Sequence, residues 1–220
     1  MAGVRNSVAD RVYGQLLGAV LGGRYAPGDA LPRQRDLAAE LGVTLGSVRE
    51  GMKRLEQMGL VDVRHGDATR VEDWRERGGL DVLEHLGPAV VPAILEARSL
   101  MLREMAGLAA GRREPGQAAR LGELARELGA VRDVRAAAEL DFAFFTEVAR
   151  AAGNIVFQLI LNAIRETYFA HLDDLPVTGD PPALALGYTA VADAIAGGDG
   201  EAARAAAFAL AEVQRQAVLG

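Results

Sequence analysis

The sequence contains no cysteine, few aromatic residues and no long apolar run, and each of these absences excludes a class of protein. Without cysteine the chain forms no disulfide, cysteine zinc site or thiol nucleophile, which is compatible with a reducing cytoplasm. No apolar run approaches about 20 residues and no early segment resembles a signal peptide, so we expect no membrane association. Aromatic residues make up only 5%, and abundant alanine favours helix.

The net charge of −6 is unevenly distributed along the chain. Residues 1–75 carry 11 basic and 10 acidic side chains, a net charge of +1, whereas residues 76–220 carry 13 and 20, a net charge of −7. Binding to phosphates depends on local basic patches rather than on the total charge. In the first part, the basic side chains that cluster are Arg33, Arg35, Arg49, Lys53, Arg54, Arg64 and Arg70.

Three early segments show apolar residues at helical spacing. They predict helices over 7–23, 33–41 and 44–58, with a tight corner at Gly42, where glycine tolerates the backbone angles required. The last two helices have the lengths and connection of a helix-turn-helix. Because the first residues of a recognition helix reach base edges in a major groove, this segment predicts DNA reading.

The residues that follow predict a β-wing. Gly59 is placed to end the recognition helix as a C-terminal cap. Two short strands are predicted over 60–63 and 69–71, on either side of a turn at Gly66. Residues 1–72 are therefore predicted to form a winged helix-turn-helix domain.

The rest of the chain is predicted to be a linker and an all-α domain, which makes the protein mainly α. The linker is assigned to 73–79 and the second domain to 80–220, where proline and glycine separate helical patterns. The predicted helical segments are 80–86, 89–111, 115–128, 131–152, 154–172, 181–197 and 199–218.

The first 71 residues contain four short motifs at specific distances from one another. They are Tyr25-Ala-Pro-Gly-Asp, Leu31-Pro32-x-x-Arg35-x-Leu37-Ala38, Leu41-Gly42-Val43-Thr44 and Val48-Arg49-Glu50. On these residues the segment resembles the DNA-binding domain of the GntR family of bacterial transcription regulators. The resemblance implies a homodimer that binds a near-palindromic, double-stranded operator.

A second group of motifs lies in the helical part. They are Glu96-Ala97-Arg98, Glu139-Leu140-Asp141-x-x-x-Phe145, Ala152-Gly153-Asn154 and Gly198-Asp199-x-Glu201-Ala202. On these residues the domain resembles the FCD effector domain of the FadR subfamily. Further residues make the chain more similar to the fatty-acid-responsive FadR type than to the average member: Arg64-His65-Gly66, Gly79-Leu80-x-x-Leu83-Glu84, Val91-Pro92, Leu159-Ile160-Leu161-Asn162 and Leu184-Ala185-Leu186-Gly187. The resemblance implies a small-molecule effector, with a fatty acyl-CoA as the expected ligand.

Candidate DNA contacts follow from the motif positions. Arg35 and Arg49 match family positions that contact the operator, although an arginine on a helix is more often simply solvated. Leu45-Gly46 stands where many members have Arg-Thr, and leucine cannot donate to guanine but can contact a thymine methyl group. The candidate contacts are Arg33, Arg35, Thr44, Leu45, Ser47, Arg49, Lys53, Arg54, His65 and Gly66.

Most FCD domains bind a divalent metal through one aspartate and three histidines, and this chain departs from that pattern. Asp141 matches the aspartate, but Phe145, Tyr188 and Leu210 stand at the histidine positions. A lone carboxylate among such side chains cannot hold zinc or nickel. We therefore predict no metal and no cofactor.

An apolar, aromatic lining is expected in place of the metal. Arg98 lies within an apolar segment, so it needs an anionic partner, which is either a ligand or Asp141 in an internal ion pair. The aromatic residues either line a ligand pocket or simply form the core. The candidate ligand contacts are Arg98, Asp141, Phe145, Tyr168, Tyr188 and Leu210.

These features predict a transcription regulator whose acyl ligand weakens operator binding. A regulator that senses a small organic acid, or a constitutive dimeric DNA binder without an effector, remains an alternative. An enzyme is not expected, because the sequence shows no nucleophile–base pair, no glycine-rich phosphate loop and no set of metal ligands.

Overall fold

The computed structural model describes residues 7–64, 68–170 and 181–219 and divides the chain into two compact units after Leu86. Within the first unit, α1 spans Val8–Leu21, α2 spans Gln34–Glu40 and α3 spans Leu45–Gln57. These bounds agree with the predicted helices to within a few residues. The helix-turn-helix is thus present where the apolar spacing placed it.

Local hydrogen bonds and one glycine fix the ends of these helices. Ser7 and Asp10 form a capping box at α1, with the Asp10 N–H donating to Ser7 Oγ at 3.1 Å. Gly42 takes a positive φ of 63° between α2 and α3, so the predicted glycine corner is confirmed. The apolar faces of α1 and α3 then pack together through Val12 and Val48, both 0% exposed.

The wing is a two-stranded antiparallel sheet. β1 spans Val61–Asp62 and β2 spans Arg70–Val71, with Val61 opposite Val71 and Asp62 opposite Arg70. Gly59 has a φ of 71°, and a Cβ there would lie 2.5 Å from the Arg77 carbonyl oxygen, which confirms the predicted glycine at the end of α3. The predicted turn residues His65 and Gly66 lie outside the described residues.

The segment predicted as a linker has structure and belongs to the first unit. α4 spans Trp74–Arg77, with its N-terminus capped by Asp73, and a 3-10 helix spans Leu80–His85. Val82 is only 2% exposed and packs in the core of the first unit. The second unit accordingly begins at Gly87 rather than at residue 80, because this apolar side chain is buried in the same core as α1 and α3.

The second unit is helical throughout its described residues. A 3-10 turn at Pro88–Val90 precedes the helices, and α5 packs extensively on α10 and α6 on α9, around a core that includes Met105, Phe144 and Ile195. The helices are α5 (Val91–Arg112), α6 (Pro115–Ala130), α7 (Val134–Ala151), α8 (Ile155–Ala170), α9 (Pro181–Gly197) and α10 (Gly200–Leu219). The predicted fold class, a winged helix-turn-helix plus an all-α domain, is confirmed.

Candidate functional site

A groove of about 730 Å³ lies between α2, the start of α3 and the wing. Among the described residues, its lining has four arginines and one acidic side chain, a balance that attracts a phosphate backbone. The groove is lined by Leu31, Pro32, Arg33, Gln34, Arg35, Asp36, Leu45, Arg49, Val63, Arg64, Ala68 and Thr69.

Arg35 and Arg49 bring two exposed guanidinium groups to this groove from different helices. Neither has a carboxylate within 4 Å among the described residues, and the same holds for Arg33, which also lines the groove. An arginine that has no internal partner keeps its donors for a guanine edge or a phosphate. The groove therefore unites four of the predicted DNA contacts, these three arginines and Leu45.

The start of α3 supplies polar groups beside these arginines. The Ser47 N–H donates to Thr44 Oγ1 at 3.2 Å, so Thr44 caps the recognition helix as its residue type predicts. Leu45 is half-buried in the groove and presents an apolar surface. Thr44, Leu45 and Ser47 thus lie together at the end of α3 that a major groove would receive.

Lys53 and Arg54 lie further along α3 and differ in their surroundings. Lys53 is exposed and has no described acidic partner within 4 Å. Arg54 instead donates to Asp10 Oδ1 at 2.7 Å and lies 3.7 Å over the ring of Tyr13. Hydrogen bonds from Ser7 and from Arg54 lower the pKa of Asp10. Arg54 therefore joins α3 to α1, a packing role that the sequence analysis did not assign to it.

The second unit contains a buried polar cluster centred on Asp141, which is 1% exposed. Its carboxylate accepts hydrogen bonds from Arg98 Nη2 at 3.1 Å, from the Tyr168 hydroxyl at 2.7 Å, from the Tyr188 hydroxyl and from Gln214 Nε2 at 3.0 Å. These five side chains come from α7, α5, α8, α9 and α10. One carboxylate thus joins five of the six helices described in the second unit.

Arg98 is fully engaged within this cluster. Besides Asp141, it donates from Nη1 to Gln214 Oε1 at 2.6 Å, and its guanidinium lies 4.7 Å over the Phe145 ring. Burial lowers the pKa of Arg98, but the Asp141 carboxylate opposes this effect, and the net shift is upward. The internal ion pair weighed as an alternative in the sequence is therefore present in the structure.

Gln214 is the member of the cluster that the sequence analysis missed. It is 3% exposed and follows Ala203, Ala207 and Leu210 on the buried face of α10. A polar residue on an otherwise apolar helical stripe needs a hydrogen-bond partner. That pattern was visible in the sequence and could have identified it.

Phe145 and Leu210 occupy two of the positions where metal-binding relatives have histidine, and both pack in the core at 4% and 2% exposure. Tyr188, at the third position, donates its hydroxyl hydrogen to Asp141. The described residues contain no group of three His, Cys, Asp or Glu side chains that could hold a metal ion. Five of the six predicted ligand contacts belong to or border the buried cluster, and Leu210 packs in the same hydrophobic core.

Burial, followed by the neighbouring Asp141, raises the pKa of Tyr168 and of Tyr188 well above the ordinary value of 10.0. The unfolded chain therefore loses these protons first as pH rises, so stability is intact below about pH 10 and falls above it.

We expect Tyr188→Phe to lose a hydrogen bond and therefore some stability at pH 8, but to lose less of its free energy of unfolding than wild type does as pH rises. Urea unfolding followed by circular dichroism at several pH values measures this, with Tyr25→Phe as the control. A Tyr188→Phe deficit that stays constant up to about pH 11 would contradict it.

Comparison with known proteins matches each of the two units to a protein family. Residues 8–71 match the family described as "Bacterial regulatory proteins, gntR family", and residues 93–212 match the FCD domain. The chain belongs to the GntR family. This GntR-family regulator is accordingly a DNA-binding transcription regulator with an FCD effector domain, and not an enzyme. Its described residues contain no helix long and apolar enough to cross a membrane.

Several relatives resemble the regulator over most of its length. The HTH-type transcriptional regulator Mce2R of Mycobacterium tuberculosis is 39% identical over 223 residues, covering 98% of this chain and 93% of that protein. The fatty acid metabolism regulator protein of Klebsiella pneumoniae is 32% identical over 164 residues, covering 70% and 66%. Among solved structures, Streptococcus agalactiae GntR has a TM-score of 0.53 at 22% identity, covering 95% and 99%, which supports the fold.

Proposed function

We propose that this regulator responds to a fatty acyl ligand of the acyl-CoA type, which binds at the buried Arg98–Asp141 cluster and weakens operator binding. The cluster is the observation that carries the proposal. It places a cation and two tyrosine hydroxyls, all suited to an anionic or carbonyl group, within an apolar and aromatic core. The name of the Klebsiella relative, a fatty acid metabolism regulator, supports an acyl ligand.

The proposed response is an exchange of partners at Arg98. A ligand oxygen that accepts from Arg98 competes with Asp141 and Gln214 for the same donors. Because the carboxylate also holds Tyr168 and Tyr188, such an exchange changes the contacts of several helices at once. A ligand that favours one arrangement of the effector unit then disfavours the arrangement that binds DNA.

The proposed DNA target is a near-palindromic operator bound by a homodimer, in the cytoplasm. Each chain provides one arginine-lined groove, and two grooves related by symmetry read two half-sites. The grooved face of α2, α3 and the wing supports this part of the proposal. In this arrangement the proposed DNA contacts are Arg33, Arg35, Arg49 and Lys53, with Thr44, Leu45 and Ser47 at the helix start.

One observation favours the alternative of a constitutive DNA binder without an effector. Arg98, the cation expected to meet a ligand, already has Asp141 and Gln214 as hydrogen-bond partners. A closed cluster of this kind stabilises the fold whether or not a ligand ever binds. A sensor of a small organic acid is a further alternative, and the ligand titration below separates all three.

We expect palmitoyl-CoA to stabilise the full-length regulator and to raise its melting temperature with the logarithm of the ligand concentration. At a hundredfold excess over the dissociation constant, the free energy of unfolding should rise by about 2.7 kcal/mol. The ligand should also weaken operator binding in a fluorescence anisotropy assay. Free CoA and a small dicarboxylic acid serve as ligand controls.

Dialysis against a chelator should leave both the melting temperature and DNA affinity unchanged, because Phe145, Tyr188 and Leu210 replace the histidines.

Arg98→Ala should blunt both responses, whereas Arg103→Ala, an exposed position on the same helix, should preserve them. No response to palmitoyl-CoA together with a response to the dicarboxylic acid would favour the small-acid sensor. No response to any ligand, with operator binding intact, would favour the constitutive binder.

A further inference from the structure

A second groove, of about 480 Å³, opens on the surface of the effector unit between α6, α7 and α8. It has the size of a small-molecule site. Two aromatic rings form its floor, since Phe142 and Phe169 lie 5.7 Å apart between centroids and both line it. This groove is distinct from the buried cluster, because neither Arg98 nor Asp141 lines it.

The arginines of this groove differ in their partners. Arg120 donates to Glu123 at 3.0 Å and to Glu127 at 3.3 Å, and Arg150 donates to Glu147 at 3.2 Å. The charge of each of these two arginines is therefore largely neutralised by its glutamate partners.

Arg165 is the exception among the described residues. Its guanidinium carbon lies 5.3 Å from the Phe142 centroid and 5.5 Å from the Phe169 centroid, and no described carboxylate lies within 4 Å of it. Among the described residues, the exposed cation therefore has the two rings of the floor as its contacts and no acid as its partner.

We propose that this groove binds an amphipathic monocarboxylate, such as a free medium-chain acid. Its apolar body would pack on Phe142 and Phe169, and its carboxylate would accept hydrogen bonds from Arg165. Among the described residues that line the groove, Arg120 and Arg150 are already held by glutamates, which leaves Arg165 for an anion. One available cation suits a single carboxylate better than the several charges of a CoA ester or a nucleotide. The ligand class thus differs from the one proposed for the buried cluster.

The floor of the groove is in contact with the buried cluster through one side chain. Tyr168 packs against Phe142 and Phe169, with centroid separations of 5.6 and 5.2 Å, and its hydroxyl donates to Asp141. A ligand that displaces either ring therefore acts on the side chain that links α8 to Asp141. This contact makes the groove a second effector site coupled to the first.

The test is calorimetric titration of the full-length protein with decanoate below its micellar concentration. We expect saturable binding with one site per chain, which Arg165→Met weakens about tenfold or more, because methionine keeps an apolar stem over the rings but removes the charge. Arg103→Met, an exposed position on α5 outside the groove, should bind as wild type does. Decylamine, which has the same chain and the opposite charge, should not bind.

The outcomes separate this site from the proposed acyl-CoA site. Decanoate binding that persists in Arg98→Ala and in the presence of palmitoyl-CoA supports a separate groove, whether or not palmitoyl-CoA itself acts on the protein. Binding that Arg98→Ala abolishes but Arg165→Met leaves unchanged would place the acid in the buried cluster and overturn the proposal. Absence of saturable binding, with wild type and Arg165→Met equally folded by circular dichroism, would also overturn it.

Discussion

Arg35→Ala and Arg49→Ala are each expected to reduce operator affinity to the level of unrelated DNA while leaving the fold intact. Both side chains are exposed in the groove and have no described acidic partner, so their loss leaves no buried group unpaired. A bidentate contact between arginine and guanine contributes about 1–3 kcal/mol of discrimination. In a symmetric complex each substitution removes that contact from both half-sites.

The measurement is fluorescence anisotropy with the operator and with a scrambled duplex at several salt concentrations. Lys53→Ala should weaken binding to both duplexes alike and lower the salt slope by about one unit, as expected for a phosphate contact. Arg103→Ala makes the same change of charge in the effector unit and should leave both affinities unchanged. Near wild-type operator affinity in either groove variant would remove that arginine from the reading surface.

Arg54 shows how little a charge pattern says about the surroundings of a side chain. In the sequence it is one more basic residue on the recognition helix, next to Lys53. In the structure its guanidinium is held between the Asp10 carboxylate and the Tyr13 ring on α1. That pairing joins positions 44 residues apart, and no local pattern reports it.

The helices, by contrast, could be predicted closely, because local signals fix their ends. Gly42 and Gly59 take the left-handed backbone that non-glycine residues avoid, and Pro115 opens α6 at a position where proline is favoured. The unit boundary could not be predicted in this way. It depends on the burial of Val82 against distant helices, and a single apolar residue in a short segment carries no periodicity.

The candidate effector site could be predicted only in part, because some of its contacts join distant positions of the chain. Arg98 and Asp141 could be identified because charged residues within apolar helices need partners. The sequence left open whether that partner was a ligand or the chain itself. Arg98 and Asp141 are 43 positions apart, and such a separation along the chain does not say how far apart the two side chains lie in the fold. The structure brings the two together and adds Gln214 as a third member.

Asp141→Ala is expected to destabilise the effector unit by about 3–5 kcal/mol, the usual cost of removing one partner of a buried ion pair. The substitution leaves the Arg98 guanidinium with Gln214 as its remaining acceptor in the cluster, and it deprives the hydroxyls of Tyr168 and Tyr188 of theirs. An uncompensated buried cation and several unsatisfied donors are both costly. The melting temperature of this unit should fall by roughly 10 °C or more.

The order of three variants tests this explanation. Arg98→Ala should cost less than Asp141→Ala, because the remaining carboxylate still accepts from Tyr168, Tyr188 and Gln214. Glu139→Gln removes a carboxylate from the same helix as Asp141, but its pair with Arg135 is exposed, so the expected cost is about 0–1 kcal/mol.

Two probes separate the units in one urea titration. The single tryptophan, Trp74, lies in the first unit, so its fluorescence transition should be unchanged in all three variants. Circular dichroism at 222 nm follows mainly the long helices of the effector unit and should show the losses. If Arg98→Ala proved more damaging than Asp141→Ala, the arginine rather than the carboxylate would be the group on which the five helices depend. The cluster would then be organised around a cation.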